Sequence, residues 1–303
     1  MMKRQIIISI ALFLFFGAKG LFAQHEFSVY SGGGLSTLNY DVTAGKQKNG
    51  LGGHFGLGYQ YLFAPKWGVG TGVELAFYNA RYNASNLFST YMTTDIQGAD
   101  FQFRSEINNL KEKQRAAMLQ IPLMLYHQSK KTENSNRQYY GAVGGKIGIP
   151  LKGKYRATAD LSNAGYYAHE NSLYDTQEFM GFGNFPNRKA NGELDFKTTF
   201  FASAEAGVKW NLNDKYSLYT GVYFDYGLNN IKKQQDVSST SPIVEYNKTN
   251  PTEFAVNSVL QSQYYGFGRG VVMSGAPQAF TDKVIPIAVG IKLKLALGKG
   301  GKQ

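Results

Sequence analysis

The charged residues best placed to do chemistry stand singly inside apolar stretches. They are Glu74 in GVGTGVELAF, Lys146 in GAVGGKIGI, Glu205 and Lys209 in FFASAEAGVKW, Asp225 in YFDYG, and Lys292 and Lys294 in GIKLKLAL. Two carboxylates held together can divide acid and base roles, and a file of carboxylates and lysines can pass protons or ions. Glu74 and Glu205 both have lysines available, so the expected arrangement is an internal salt-bridge network that fills a narrow interior. Other chemistry is thinly represented. His25, His54, His127 and His169 are scattered, with no HExxH and no cysteine, so neither a metal nor a cofactor is expected. His169-Glu170 with Asp175 lies in a polar segment where a hydrolase could carry its catalytic groups, but no G-x-S-x-G element accompanies it. The glycine-rich pieces GGGL and GVGTG fall inside strand patterns rather than before helices, which argues against a phosphate cradle.

The elements that carry these charges alternate with a period of two. In residues 199–212, Phe200, Ala202, Ala204, Ala206, Val208, Trp210 and Leu212 share one face, while Ser203, Glu205, Gly207 and Lys209 share the other. A short Asn213-Asp214-Lys215 turn leads to residues 216–229, which repeat the pattern and complete a hairpin. Further strands are read at 26–38, 51–63, 67–78, 117–127, 139–149 and 283–297. Most of these reach or exceed the roughly 9 to 11 tilted residues that cross a bilayer, a length that soluble sheets rarely need.

The 303-residue chain contains 35 Gly, 21 Tyr and 21 Phe with only 17% charged residues, and no apolar run of 18 residues follows the N-terminus. That excludes a helical span in the remainder and leaves strands as the crossing element. Lys3 and Arg4 precede the apolar run 6–17, and Ala23-Gln24 offers a cleavage point, so residues 1–23 read as an export signal and 24–303 as one barrel domain. Removing Lys3, Arg4 and Lys19 with that segment lowers the formal charge from +11 to +8. No block of five or six like charges remains, so no basic stripe for nucleic acid or another polyanion is expected.

Turning Lys292 and Lys294 toward lipid would cost roughly 2 to 4 kcal/mol each near the midplane, which sets their strand with both lysines inward. Connections after the second, fourth and sixth strands are short, and those after the odd strands are long. This is the alternation of an eight-stranded antiparallel transmembrane β-barrel with short periplasmic turns and long extracellular loops. Eight strands leave an interior just wide enough for side chains to fill. Trp67 and Trp210 lie on the apolar face beside short turns, with Phe63 and Tyr216 across from them, where interfacial aromatics belong. Three further expectations concern details. Residues 81–114 should form a polar connection with a short helix in RSEINNLKEKQRAA, because Ile107, Leu110 and Gln114 fall on one helical face. Residues 152–195 should form a second long loop, and Pro122 and Pro286 should each mark a bulge or strand end.

The export signal ending in Ala-Gln, the glycine-rich first hairpin, the Ile121-Pro122-Leu123 step and the lysine-alternating last strand together resemble the outer-membrane β-barrel domain family of Bacteroidetes, including PorT-like proteins. The resemblance implies outer-membrane lipid as surroundings and an envelope or secretion-complex protein as a partner. Loop mass beyond what a scaffold needs favours a non-enzymatic surface barrel whose loops bind a partner protein or envelope component, with a small solute channel as the alternative and a lipid- or peptide-modifying enzyme third. Aromatics and an arginine between glycines make Phe182, Phe185, Tyr265, Phe267 and Arg269 the candidate loop contacts.

Overall fold

Eight long segments that alternate large apolar residues with small or polar ones can satisfy their backbones in a membrane only by pairing into a closed ring. The computed structural model, which describes residues 24–130, 136–233, 241–264 and 278–298, shows that ring. Its strands are β1 (Gln24–Asn39), β2 (Leu51–Leu62), β3 (Trp67–Ala84), β4 (Asp100–Gln128), β5 (Arg137–Tyr167), β6 (Thr199–Asn211), β7 (Tyr216–Gly227) and β8 (Ile285–Gly298). Each strand pairs antiparallel with its neighbour in sequence. β1 and β8 close the ring, so Val29 stands between Leu57 of β2 and Leu295 of β8.

The alternation sorts side chains as expected. Phe27, Leu57, Val143, Val222 and Ile291 point outward and are exposed, while Glu74, Lys146, Glu205, Asp225 and Lys292 point inward and are buried. Large exposed apolar residues repeat around the whole ring, a surface that suits hydrocarbon and would be an association hazard in water. Small inner residues make room for the larger ones. Gly32 of β1 lies directly under the His54 ring, where a Cβ would come within 2.6 Å of the imidazole.

The short connections are tight. Ala64 and Trp67 exchange backbone hydrogen bonds at 3.2 Å, and Asn213 Oδ1 accepts the N–H groups of Lys215 and Tyr216 at 2.9 and 2.8 Å. On the opposite side the barrel wall is uneven, because β4 and β5 continue far beyond the length needed to cross the membrane.

That height corrects two expectations. Residues 100–114 are strand, not a helix-bearing loop. The three-residue step from Ile107 to Leu110 that looked helical is a bulge, with Asn109 at φ 50° and a register shift between Asn108 and Lys111. The extra residue moves the inward set from odd to even positions, so Leu110, Glu112 and Gln114 are buried while Lys111, Lys113 and Arg115 are exposed. Likewise 152–167 extend β5, and the strand Gly183–Glu193 pairs with it, so most of the expected second loop is sheet. Within the first connection, the strand Lys46–Asn49 pairs with β3.

Pro286 is the second residue of β8, at a strand end as expected. Pro122 forms no bulge. It stays in register with Lys146 on β5, and on the β3 side only the bridges around it are absent before the same register resumes from Thr71↔Leu123 to Glu74↔Gln120. Thr71 Oγ1 donates to the Pro122 carbonyl at 2.8 Å, supplying that carbonyl with a side-chain donor. The neighbouring bulge lies instead between Ala117 and Met118, opposite Pro150 and Lys152.

Candidate functional site

The lumen brings together all seven charged residues singled out by the alternation. Lys146 Nζ lies 2.7 Å from Glu74 Oε1 and 2.9 Å from Asp225 Oδ2, so one ammonium from β5 joins carboxylates from β3 and β7. Lys292 of β8 pairs with Glu205 of β6. Lys209 pairs with Glu26 at 2.5 Å, and Tyr219 donates its hydroxyl to the other Glu26 oxygen at 2.5 Å. Lys294 donates to Gln60 Oε1 at 3.0 Å and sits 4.0 Å from the centre of the Tyr219 ring. Glu26, Gln60 and Tyr219 were not singled out from the sequence. Glu26 occupies an inward position on β1, and that parity is the signal that could have found it.

With Glu26 included, four buried carboxylates face four buried lysines. Such balance answers the several kcal/mol that each unpaired ion would cost in a dry interior. The carboxylates are separated by lysines and rings instead of sharing one substrate-sized space, an arrangement that locks strands together more readily than it divides acid and base work. His169 Nε2 stands 3.3 Å from Glu170 Oε1 in an exposed turn, and Tyr174 donates to Glu170 Oε2 at 2.8 Å. Among the described residues no contact joins Asp175 to this pair.

Beyond the lumen, the tall wall encloses a second, apolar core. The connection from β7 to β8 folds back into it, burying Ile243, Val244, Val256, Val259, Leu260 and Phe280 against Tyr82, Phe103, Ile107, Leu110 and Tyr155 of the wall. We call this inserted connection the cap. Its backbone is tied to the wall by side chains: Tyr91 Oη donates to the Val244 carbonyl at 3.2 Å and accepts the Tyr246 N–H at 2.8 Å, and Tyr155 Oη donates to the Val256 carbonyl at 3.1 Å. Glu112 is fully enclosed at this junction. Its carboxylate accepts Ser258 Oγ, the Val259 N–H at 3.0 Å and Gln114 Nε2 at 2.7 Å, and burial pushes its pKa above the usual carboxylate range.

The candidate loop contacts divide in two. Phe182 is fully buried, 5.6 Å from the Phe101 ring and stacked on Tyr246 at 6.3 Å. Phe185 is half-buried, 4.9 Å from Phe254, with the Arg188 guanidinium 5.6 Å from its ring and 4.6 Å from that of Phe254. Both rings hold cap to wall rather than facing a partner, because a large apolar ring with an enclosed neighbour gains more from burial than from exposure. Tyr265, Phe267 and Arg269 lie outside the described residues, as does the export segment 1–23.

The four rim aromatics stand beside the short turns on the outer face. Phe63, Trp67 and Tyr216 are exposed. Trp210 is partly covered by Arg137, 4.8 Å from its ring, and donates Nε1–H to Thr220 Oγ1 at 2.9 Å.

Strand pairing also builds a basic row that no run of like charges along the chain announces: Lys48, Arg81, Lys113 and Arg156, from four different strands, are consecutive cross-strand neighbours on the outer wall.

A family profile described as outer membrane protein β-barrel domain matches residues 22–233. Among solved structures, the chain is similar to the outer membrane protein OprG from Pseudomonas aeruginosa, at 13% identity and TM-score 0.36, with 91% of this chain and 95% of that chain covered. It is also similar to Ail, the attachment invasion locus protein of Yersinia pestis, at 10% identity and TM-score 0.27, covering 91% and 98%. Neisserial surface protein A is matched at 9% identity and TM-score 0.28, covering 91% and 96%. No curated protein matches the chain.

Proposed function

Because this chain belongs to the outer membrane protein β-barrel domain family and resides in the outer membrane, we propose that it is a non-enzymatic, non-conducting barrel that presents a fixed extracellular platform to an envelope component or partner protein. The observation that carries this reading is the double occlusion of the axis. The lumen is filled by paired charges and aromatic rings, and the mouth above it by the apolar cap core. A solute path needs an opening that eight strands supply only if side chains withdraw from it. Ordering the cap against the wall fixes the outer surface before any partner arrives, which lowers the entropy cost of recognition. The narrower likeness to PorT-like barrels favours a component of an envelope secretion assembly as that partner.

Planar-bilayer recordings test the occlusion. Purified protein should insert without steady conductance, and a reproducible, solute-dependent conductance would replace this reading with the channel. Crosslinking in intact cells from cysteines placed at the exposed positions Leu173 and Phe179 should capture a discrete envelope component. Crosslinks to lipid alone would remove the protein partner.

A further inference from the structure

We propose that the outward face of β3, β4 and β5, together with the strand Lys46–Asn49, is a docking surface for the phosphate groups of outer-leaflet lipid headgroups. The register builds it. Lys48 lies opposite Arg81, Arg81 opposite Lys113, and Lys113 opposite Arg156. At roughly 4.8 Å between strands, four cations span about 14 Å of wall. Arg115 opposite Lys154 forms a second row on the membrane side, and Lys46 and Lys111 flank Asn83 in a third row above. All eight cationic side chains are exposed.

Two acids border the patch without crossing its central row. Glu193 lies opposite Lys154, and Asp160 near Lys111 is engaged by Asn109 Nδ2 and the Asn187 N–H at 2.7 and 2.8 Å. Like charges directly opposite one another weaken a sheet, so the central row works against the wall unless an anion sits over it.

Height selects the anion's source. On the same outward face, the last wholly apolar row is Leu75–Leu119–Ile149, and the next, Phe77–Ala117, is apolar on β3 and β4 and meets the exposed Lys152 on β5. The Arg115–Lys154 row is two residues further along the strands, and the Arg81–Lys113–Arg156 row four. With about 3.4 Å per residue and a strand tilt of about 40°, these rows stand roughly 5 and 10 Å beyond the Phe77–Ala117 row. That is headgroup depth, on the wall that faces lipid rather than on the exposed top. A multiply phosphorylated lipid anchored in the adjacent leaflet can keep its chains against the apolar belt while its phosphates bridge neighbouring strands, and arginine meets phosphate with paired donors.

The test uses the full chain purified in a neutral detergent and titrated with diphosphorylated lipid A, with the same lipid dephosphorylated, with inorganic phosphate and with heparin. Wild type should bind the diphosphorylated lipid in preference to the other three, and the affinity should fall as salt rises. Arg81→Gln/Lys113→Gln/Arg156→Gln should weaken binding by about tenfold or more, while Lys66→Gln/Lys130→Gln/Lys215→Gln, which removes equal charge near the short turns, should not. If the first triple variant fails to fold, Arg81→Gln and Arg156→Gln singly should each give a smaller loss in the same direction. The proposal is overturned by equal affinity for dephosphorylated lipid, by full competition from inorganic phosphate at matched concentration, by a preference for heparin, or by equal losses in both triple variants.

Discussion

Glu112 of β4 accepts the backbone N–H of Val259 at 3.0 Å, so a buried carboxylate joins the tyrosine hydroxyls in tying the wall to the cap. Ser258 Oγ and Gln114 Nε2 converge on the same carboxylate. Glu112→Ala leaves three donors without their acceptor inside an apolar core, at a cost of about 1 to 3 kcal/mol for each group left unsatisfied. The barrel itself should survive, retaining heat-modifiable gel mobility. Amide exchange at Val259 and limited proteolysis within residues 241–264 should accelerate by tenfold or more. Unchanged protection there would show that Glu112 does not hold the cap.

The same residue gives the cap a pH dependence of defined sign. Burial raises the Glu112 pKa when the cap is docked, and the undocked carboxylate titrates in the usual range. The docked state therefore binds the proton more tightly. Docking is strongest at or below the usual carboxylate pKa and weakens as pH rises from that value toward the raised one. Exchange at Val259, corrected for intrinsic rates, should report easier opening across that interval in wild type. In Glu112→Gln the dependence should vanish, whereas an equal slope in both proteins would assign it to another group.

In the lumen, Lys146 is the hinge of the charge balance because it faces both Glu74 and Asp225. Lys146→Met leaves two buried carboxylates without their cation and should lower stability by about 3 to 5 kcal/mol. The urea midpoint for conversion of folded to unfolded gel mobility measures this. Adding Glu74→Gln and Asp225→Asn to the same chain should recover most of the loss. If the triple variant were as unstable as the single one, packing rather than charge would be the cause.

Trp67 and Trp210 are the chain's two tryptophans, so emission excited to the red of tyrosine absorption reads the short-turn rim. In vesicles, lipids brominated near the headgroup should quench emission more strongly than lipids brominated near the chain ends. Stronger quenching from the chain ends would remove both rings from the interface.

Much of the fold was legible because membrane strands obey a strict parity. The outward and inward sets of β6, β7 and β8 follow from residue order alone, and so does the inward turn of Lys292 and Lys294. Parity failed where one extra residue broke it. The Asn109 bulge gave Ile107, Leu110 and Gln114 a helical spacing, and strand beyond the hydrocarbon core has no acyl chains to demand large apolar residues on its outer side. Lys111, Lys113 and Arg115 therefore looked like loop. The cap was equally hidden, since Phe182 and Phe185 in their glycine-rich setting read as contact residues until the register of β4 and β5 supplied a core for them. The basic rows needed pairing across three strands and the strand Lys46–Asn49, which no scan along the chain can provide. Lumen pairs such as Lys209 with Glu26 are 183 positions apart and emerge only when the ring closes.

The cap is contributed by the connection between β7 and β8, and it is stitched to the first connection, where the Thr43 N–H donates to the Phe280 carbonyl at 3.1 Å. Residues 278–284 then lead from the cap straight into β8, the strand that pairs with β1, and the Ile231 N–H donates to the Val284 carbonyl at 3.0 Å. The stretch that seats the cap and the stretch that closes the seam are therefore one piece of backbone, so a shift of β8 along β1 would pull on the plug of the mouth as well as on the wall.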